Sequence, residues 1–279
     1  HKPASDRVMA KVRQVLTAAG HDEALTASVV SERWSSAFSP WTSAPPLVAS
    51  TPMLEGADHL RQSLVPSLLD VRRINESLSN PSIELFETAR IYLPTSAGLP
   101  HEQHTLAAVS GRGYAHLKGL VEALLAGLHV NAPLAVAVFR HDLLGQASEI
   151  QLAGQRLALL GEVSPACQKT FGLRSPAAVL ELDLDLLAKH ARLTTTYSPQ
   201  SQFPTIARDL NLVVPQPVRW SDLAATVAAS AGETLERLEY LDTYIDANKD
   251  GPGTKRLHFS FTLRAPDRTL TGAEADNIR

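Results

Sequence analysis

Four places along the chain carry residue types that do chemistry in other settings, and each has a plainer reading beside it. His101-Glu102-Gln103-His104 resembles a metal site, but its histidines stand three apart in a Gly/Pro-flanked stretch, where a helical zinc pair needs them four apart on one face. It reads as a solvated loop. Glu181, Asp183 and Asp185 alternate with leucines, which puts them on one strand face. Paired carboxylates can share acid–base work, and a solvated strand edge is the simpler reading. Cys167, in Ser164-Pro-Ala-Cys-Gln-Lys-Thr170, falls near a short helix start that would lower a thiol pKa, yet no histidine partner is defined and it reads as a packed residue. Gly111-Arg112-Gly113 lacks the third glycine of a dinucleotide fingerprint and the Lys-Ser/Thr of a phosphate loop, so it reads as a turn. These patterns assign no catalytic residue and no metal site.

A fifth pattern lies near the C-terminus. Leu257, Phe259, Phe261 and Leu263 alternate with Arg256, His258, Ser260, Thr262 and Arg264, and a strand of period two sends the two sets to opposite faces. The same count places Tyr240, Asp242, Tyr244 and Asp246 opposite Leu241, Thr243 and Ile245. One face is apolar and helix-covered; the other mixes aromatic, charged and hydrogen-bonding groups. Such a face suits stacking on single-stranded bases, and it equally suits a plain solvated surface.

The elements that position these residues follow from periodicity and punctuation. A helix is expected over 5–19 with Ser5 as its cap and Gly20 as its stop. A strand is expected over 24–31. A second helix runs over 66–78 with apolar face Leu68, Leu69, Ile74 and Leu78, Ser63 available as a cap and Pro66 in the first turn. Strands follow at 82–92 and 104–112, a helix at 117–128, and strands at 134–139, 148–152, 155–163 and 177–183. Residues 192–202 form a polar linker. Beyond it the order is strand 205–214, helix 221–231, strand 235–246, loop 247–254, strand 255–264 and a helix from Thr271: a βαββα run that lacks the last strand of a ferredoxin-like βαββαβ unit. The fold class is therefore α+β, an antiparallel-sheet domain with helices followed by a ferredoxin-like domain.

Composition bounds what these domains do. The 279 residues hold 26 Lys+Arg against 29 Asp+Glu, a net charge of −3, with 44% hydrophobic residues. That is a globular composition long enough for two cores, and it excludes a broad cationic surface for nucleic acid. Any nucleic-acid contact must be local. One cysteine excludes a disulfide framework and a Cys-rich zinc site, and points to a reducing compartment. No window resembles a membrane span or a signal peptide; the start at His1 instead of Met suggests a portion of a longer chain.

Four stretches together resemble the C-terminal region of the bacterial phenylalanyl-tRNA synthetase β subunit: Gly20-His-Asp-Glu-Ala-Leu-Thr-Ala-Ser-Val-Val-Ser31; Leu60-Arg-Gln-Ser-Leu-Val-Pro-Ser-Leu-Leu69 with Ile83-Glu-Leu-Phe-Glu87; Leu117-Lys-Gly-Leu-Val-Glu-Ala-Leu124 with Ser148-Glu-Ile150 and Leu160-Gly-Glu-Val-Ser-Pro165; and Phe203-Pro-Thr-Ile-Ala-Arg-Asp-Leu-Asn-Leu-Val-Val214 with Phe259-Ser-Phe-Thr-Leu-Arg-Ala-Pro-Asp-Arg-Thr-Leu-Thr271. The resemblance implies a catalytically silent class II synthetase-like module over 1–195 and a ferredoxin-fold anticodon-binding domain over 196–279, C-terminally truncated. Leu85 falls where class II enzymes carry an arginine on ATP, and Gly161-Glu-Val-Ser-Pro165 replaces a glycine-rich motif ending in arginine. The resemblance also implies a cytoplasmic α2β2 ligase whose α subunit holds the catalytic site. ATP and Mg2+ then serve the holoenzyme and not this portion, and no editing activity belongs here. The α subunit would pair through the first helix and strand and the 66–78 helix. The RNA-binding set it implies is Asp242, Tyr244, Asn211, Arg256 and His258, with tRNA(Phe) as ligand. Asn211 and Arg256 depart from the family's small residue and serine, so Arg256 either adds a phosphate or base contact or is an ordinary surface arginine. The alternative reading is a pure subunit-assembly module with no RNA role. A self-sufficient ATP-using enzyme is the reading the sequence opposes.

Overall fold

The computed structural model describes residues 3–51, 54–80, 82–96, 98–194, 197 and 199–278. The chain divides into two compact units, His1–Thr195 and Thr196–Arg279. Thr195, Thr196 and Ser198 of the expected linker lie outside the described residues. Among the described residues no helix is long and apolar enough to cross a membrane.

The first unit runs α1 (Ala4–Ala18), β1 (Asp22–Glu23), β2 (Val29–Val30), α2 (Glu32–Ser35), β3 (His59–Leu60), α3 (Val65–Ser77), β4 (Leu85–Leu93), β5 (His101–Ser110), α4 (Tyr114–Gly127), β6 (Leu134–His141), β7 (Leu144–Leu152), β8 (Gln155–Val163), α5 (Pro165–Phe171), β9 (Ala178–Asp183) and α6 (Leu184–His190). Seven strands form one sheet in the order β1-β4-β5-β9-β8-β7-β6, antiparallel throughout except for the β1–β4 pair. One core contains Val8, Val12 and Leu16 of α1 and Leu117, Val121 and Leu124 of α4 with Phe86, Leu106 and Leu180 of the sheet. A second, on other strand residues, contains Phe38, Leu64, Leu68, Leu69, Leu85, Val109 and Val179. Both helical stripes repeat at three- and four-residue steps, so each helix presents a single apolar face.

Several sequence expectations need correction. The α1 helix starts at Ala4 after Pro3, without a side-chain cap from Ser5. Of the strand expected over 24–31 only β2 forms, and β1 ends just before it at Glu23, because the buried Glu87 carboxylate holds Thr26 through its N–H at 3.1 Å and its hydroxyl at 2.7 Å, turning the chain off the sheet edge. Leu25 is left 92% exposed. On α3 the inward row Leu68–Arg72–Glu76 takes the place of the expected Ile74 and Leu78, which face solvent. Arg72 is tolerated there because each guanidinium nitrogen finds an acceptor: Nε the Glu76 carboxylate, Nη1 the Ile83 carbonyl, and Nη2 the Ser175 hydroxyl and the Pro176 carbonyl. His101–His104 is strand β5 and not a loop: His101 is exposed and Gln103 buried. Of the three alternating acids, Glu181 is buried at 1% exposure, while Asp183 caps α6 by accepting from the Leu186 N–H, and Asp185 belongs to that helix. The strand ends at Asp183, so the three do not share a solvated edge.

The second unit runs β10 (Ile206–Pro215), α7 (Trp220–Ala231), β11 (Leu235–Tyr244), α8 (Ala247–Asp250), β12 (Thr254–Leu263) and α9 (Gly272–Ile278). Its three strands are antiparallel in the order β10-β12-β11. Leu257, Phe259, Phe261 and Leu263 are all buried, as the period-two reading of β12 requires. Trp220 of α7 packs on Phe259 at 5.3 Å between ring centroids. At the start of α9, Thr271 and Glu274 form a reciprocal capping box. The Thr271 N–H, the Arg268 guanidinium and the Thr271 hydroxyl hold the Glu274 carboxyl down to about 2.

Candidate nucleic-acid interface

Antiparallel partners that stand directly opposite each other point to the same face, so the register of the three strands defines rungs across the open side of the second sheet. Asn211 of β10 pairs with His258 of β12, which pairs with Asp242 of β11. The next rung is Val213, Arg256 and Tyr244. All five residues singled out from the sequence therefore lie on two adjacent rungs of one face. Tyr240 does not join them. The pairing shifts register between Tyr240 and Asp242, leaving Leu241 as an extra residue, so Tyr240 stands opposite buried Phe259 and its ring lies 5.6 Å from Trp220. A bulge of this kind inverts the alternation downstream, which a strict count of two cannot register.

The side chains on these rungs differ in how free they are. Among the described residues, Asn211 and His258 have no side-chain hydrogen-bond partner, leaving an amide and an imidazole side by side. Asp242 accepts from the Thr243 N–H at 2.7 Å through one carboxylate oxygen. Tyr244 is 39% exposed, with the Arg256 guanidinium carbon 5.8 Å from its ring centroid. Arg256 is clamped by Asp250: Nε donates to one carboxylate oxygen at 2.5 Å and Nη2 to the other. That paired hydrogen bond raises the arginine's pKa and lowers the Asp250 carboxyl's. Arg256 is thus a fixed wall beside Tyr244. One rung further, Asp209 and Glu239 flank Ser260 and add two acids, and Arg237 is paired with Glu239 at 3.1 Å. The face offers an aromatic ring and hydrogen-bonding groups without a net cationic field.

In the first unit the polar groups on the sheet are spent on one another. Glu87 is fully buried and binds Arg61 at 3.1 Å; Arg61, also buried, donates to Thr26 and to the Arg90 carbonyl. Leu85 is 9% exposed inside the second core. Glu181 accepts from Trp41, Ser63 and the Leu64 N–H. At Gly161, a Cβ would lie 2.6 Å from that of Ala147, so the glycine serves the close approach of β7 and β8. Sequence reasoning missed the inward role of Glu181. Its spacing matched a two-sided strand, and its partners come from residues 41 and 63–64.

A largely antiparallel sheet flanked by helices, followed by a ferredoxin-like sheet with a polar open face, defines a class II aminoacyl-tRNA synthetase-like architecture. Solved pyrrolysyl-tRNA synthetase structures from Desulfitobacterium hafniense share the fold at 17% and 18% identity: the latter has a TM-score of 0.55 over 69% of this chain and 72% of that one. Residues 1–184 match the phenylalanyl tRNA synthetase beta chain CLM domain, and residues 201–279 match the ferredoxin-fold anticodon binding domain. The chain belongs to the phenylalanyl-tRNA synthetase β-chain family. A phenylalanine–tRNA ligase β subunit from Rhodopirellula baltica is 41% identical over 98% of this chain, and one from Bacillus thuringiensis subsp. konkukian 31% identical over 95%. The chain spans 42% and 35% of those relatives' lengths.

Proposed function

We propose that this chain is the part of a phenylalanine–tRNA ligase β subunit that supports a catalytic α subunit and touches the tRNA anticodon, in a cytoplasmic α2β2 enzyme that attaches phenylalanine to tRNA(Phe) at the expense of ATP. Residues 1–195 act as a synthetase-like scaffold without chemistry of its own; ATP and Mg2+ work on the α subunit. Supporting that division, Leu85 stands in an apolar core where transfer of an adenylate needs positive charge, and the neighbouring Arg61 and Glu87 neutralise each other out of reach of solvent. The exposed Ile74 and Leu78 of α3 support pairing through that helix.

Residues 196–279 act on RNA. The observation that carries this is the convergence of Asn211, His258, Asp242, Arg256 and Tyr244 on two neighbouring rungs. In this reading Tyr244 stacks on a base and Arg256 holds the ring's position while leaving Asp250 paired. Asn211, His258 and Asp242 supply donors and acceptors to base edges. The test is tRNA(Phe) titration of the complex of this subunit with its α partner. Tyr244→Ala is expected to cost about 1–3 kcal/mol of binding, the contribution of one base–aromatic stack. Unchanged affinity in that variant, with the complex intact, removes the RNA role from this face and leaves an assembly module.

A further inference from the structure

Three residues far apart in the chain converge beside the first core. His21 follows α1, Glu84 precedes β4, and His116 lies in the first turn of α4. One ligand-type atom from each lies within 4.8 Å of the others, and the His21 Nε2 to Glu84 Oε2 distance is 3.6 Å. His21 is 2% exposed and Glu84 5%. Both nitrogens of His21, Oε2 of Glu84 and Nε2 of His116 have no hydrogen-bond partner among the described residues. The two imidazole rings stack at 5.2 Å, 4° from parallel. Buried polar atoms are nearly always satisfied, so four orphans in one cluster call for a missing partner.

We propose that His21, Glu84 and His116 form a binding site for one zinc-type divalent transition ion. Two imidazole nitrogens and one carboxylate oxygen are a common donor set for that class of ion, with a fourth position left to water. Zinc bonds of about 2.0–2.1 Å place tetrahedral ligands about 3.4 Å apart, so the 3.6 Å pair is already spaced for it and His116 must move in by side-chain rotation. Closing tilts the two rings out of their parallel stack. The other groups around the site fit this assignment. Glu84 Oε1 accepts from the Gly111 N–H at 3.1 Å and lies 3.8 Å from the Arg112 guanidinium, which leaves Oε2 for the ion. Arg112 is half-exposed and can swing away, and Asp22 adds an acid nearby. Once bound, the ion would tie the end of α1 and the starts of β4 and α4 to one point.

The experiment strips the purified chain with chelator and titrates it with Zn2+ alone, then with Co2+ as an optical probe. One ion per chain is expected, with intense visible d–d bands for four-coordinate Co2+ and a rise in melting temperature. His116→Ala, at a partly buried position outside the apolar clusters, should weaken binding at least tenfold. Glu84→Gln should do the same, and His101→Ala, at the exposed first residue of β5, should leave it unchanged. No saturable binding, pale six-coordinate Co2+ spectra, or equal affinity in His116→Ala would each overturn the site.

Discussion

Glu181 shows how burial and hydrogen bonding contend at one carboxyl. Desolvation drives its pKa up; the Leu64 N–H, the Ser63 hydroxyl and the Trp41 indole N–H pull it down, and the balance lies at about 7. The group's pKa is thus higher in the folded chain than its ordinary 4.5. Below 4.5 both states hold the proton and nothing is lost. Between 4.5 and 7 the unfolded chain releases a proton that the folded chain keeps, so stability falls as pH rises, by about 3 kcal/mol once pH exceeds 7. Glu181→Gln removes this slope. Denaturant unfolding of both proteins should show the difference moving toward the glutamine variant by about 3 kcal/mol between about pH 4 and pH 8; parallel curves would contradict it. The amide also points a donor at a donor, a constant offset that leaves the slope intact. Nothing in the alternation of Glu181 with leucines reveals this, because its three partners arrive from 117 to 140 residues away. Asp242 and Tyr244 were legible for the opposite reason: their face is set by local alternation.

At the scale of elements, period two succeeds where pairing is regular and fails where it is not. β12 pairs with β10 without a register shift, carries no extra residue of its own, and buries alternate residues. β11 shifts register twice, between Leu235 and Arg237 and between Tyr240 and Asp242, so Tyr240 lies on the helix side despite its even spacing from Asp242. Helix α3 misled differently: apolar Ile74 and Leu78 are exposed and charged Arg72 and Glu76 buried, since a bonded ion pair satisfied by Ser175 and the Ile83 carbonyl occupies the inward row. The contact of β7 with β8 yields a prediction. A Cβ on residue 161 would meet the Gln146 carbonyl at 2.7 Å and the Ala147 Cβ at 2.6 Å, both on a neighbouring strand with no flexible end to give way. Gly161→Ala should destabilise the first unit by about 1–3 kcal/mol, read from its unfolding midpoint; a neutral effect would show that the strands separate freely.

For the molecule as a whole, charge limits the way RNA is held. Residues 199–279 carry nine Lys+Arg and eleven Asp+Glu, and Arg256, Arg208, Arg237, Arg264 and Arg268 are already paired with acids. Few cations are left to displace counterions. The affinity of this chain for tRNA should therefore fall with a log–log salt slope no steeper than about −2, where a slope near −5 would reveal a cationic surface the structure lacks. The shift in pattern near residue 195 falls where the chain divides into two compact units. The filled sheet of the first domain was legible only as Leu85 in place of an arginine; the mutual neutralisation of Arg61 and Glu87 needed the fold. The extra residue in β11 bears on how chains of differing length are compared. Deleting Leu241 would join Tyr240 and Asp242 as successive partners of Phe259 and His258. Every other residue of the strand would keep its face. A gap at that position is silent for recognition, whereas a gap two residues further on would turn Tyr244 inward.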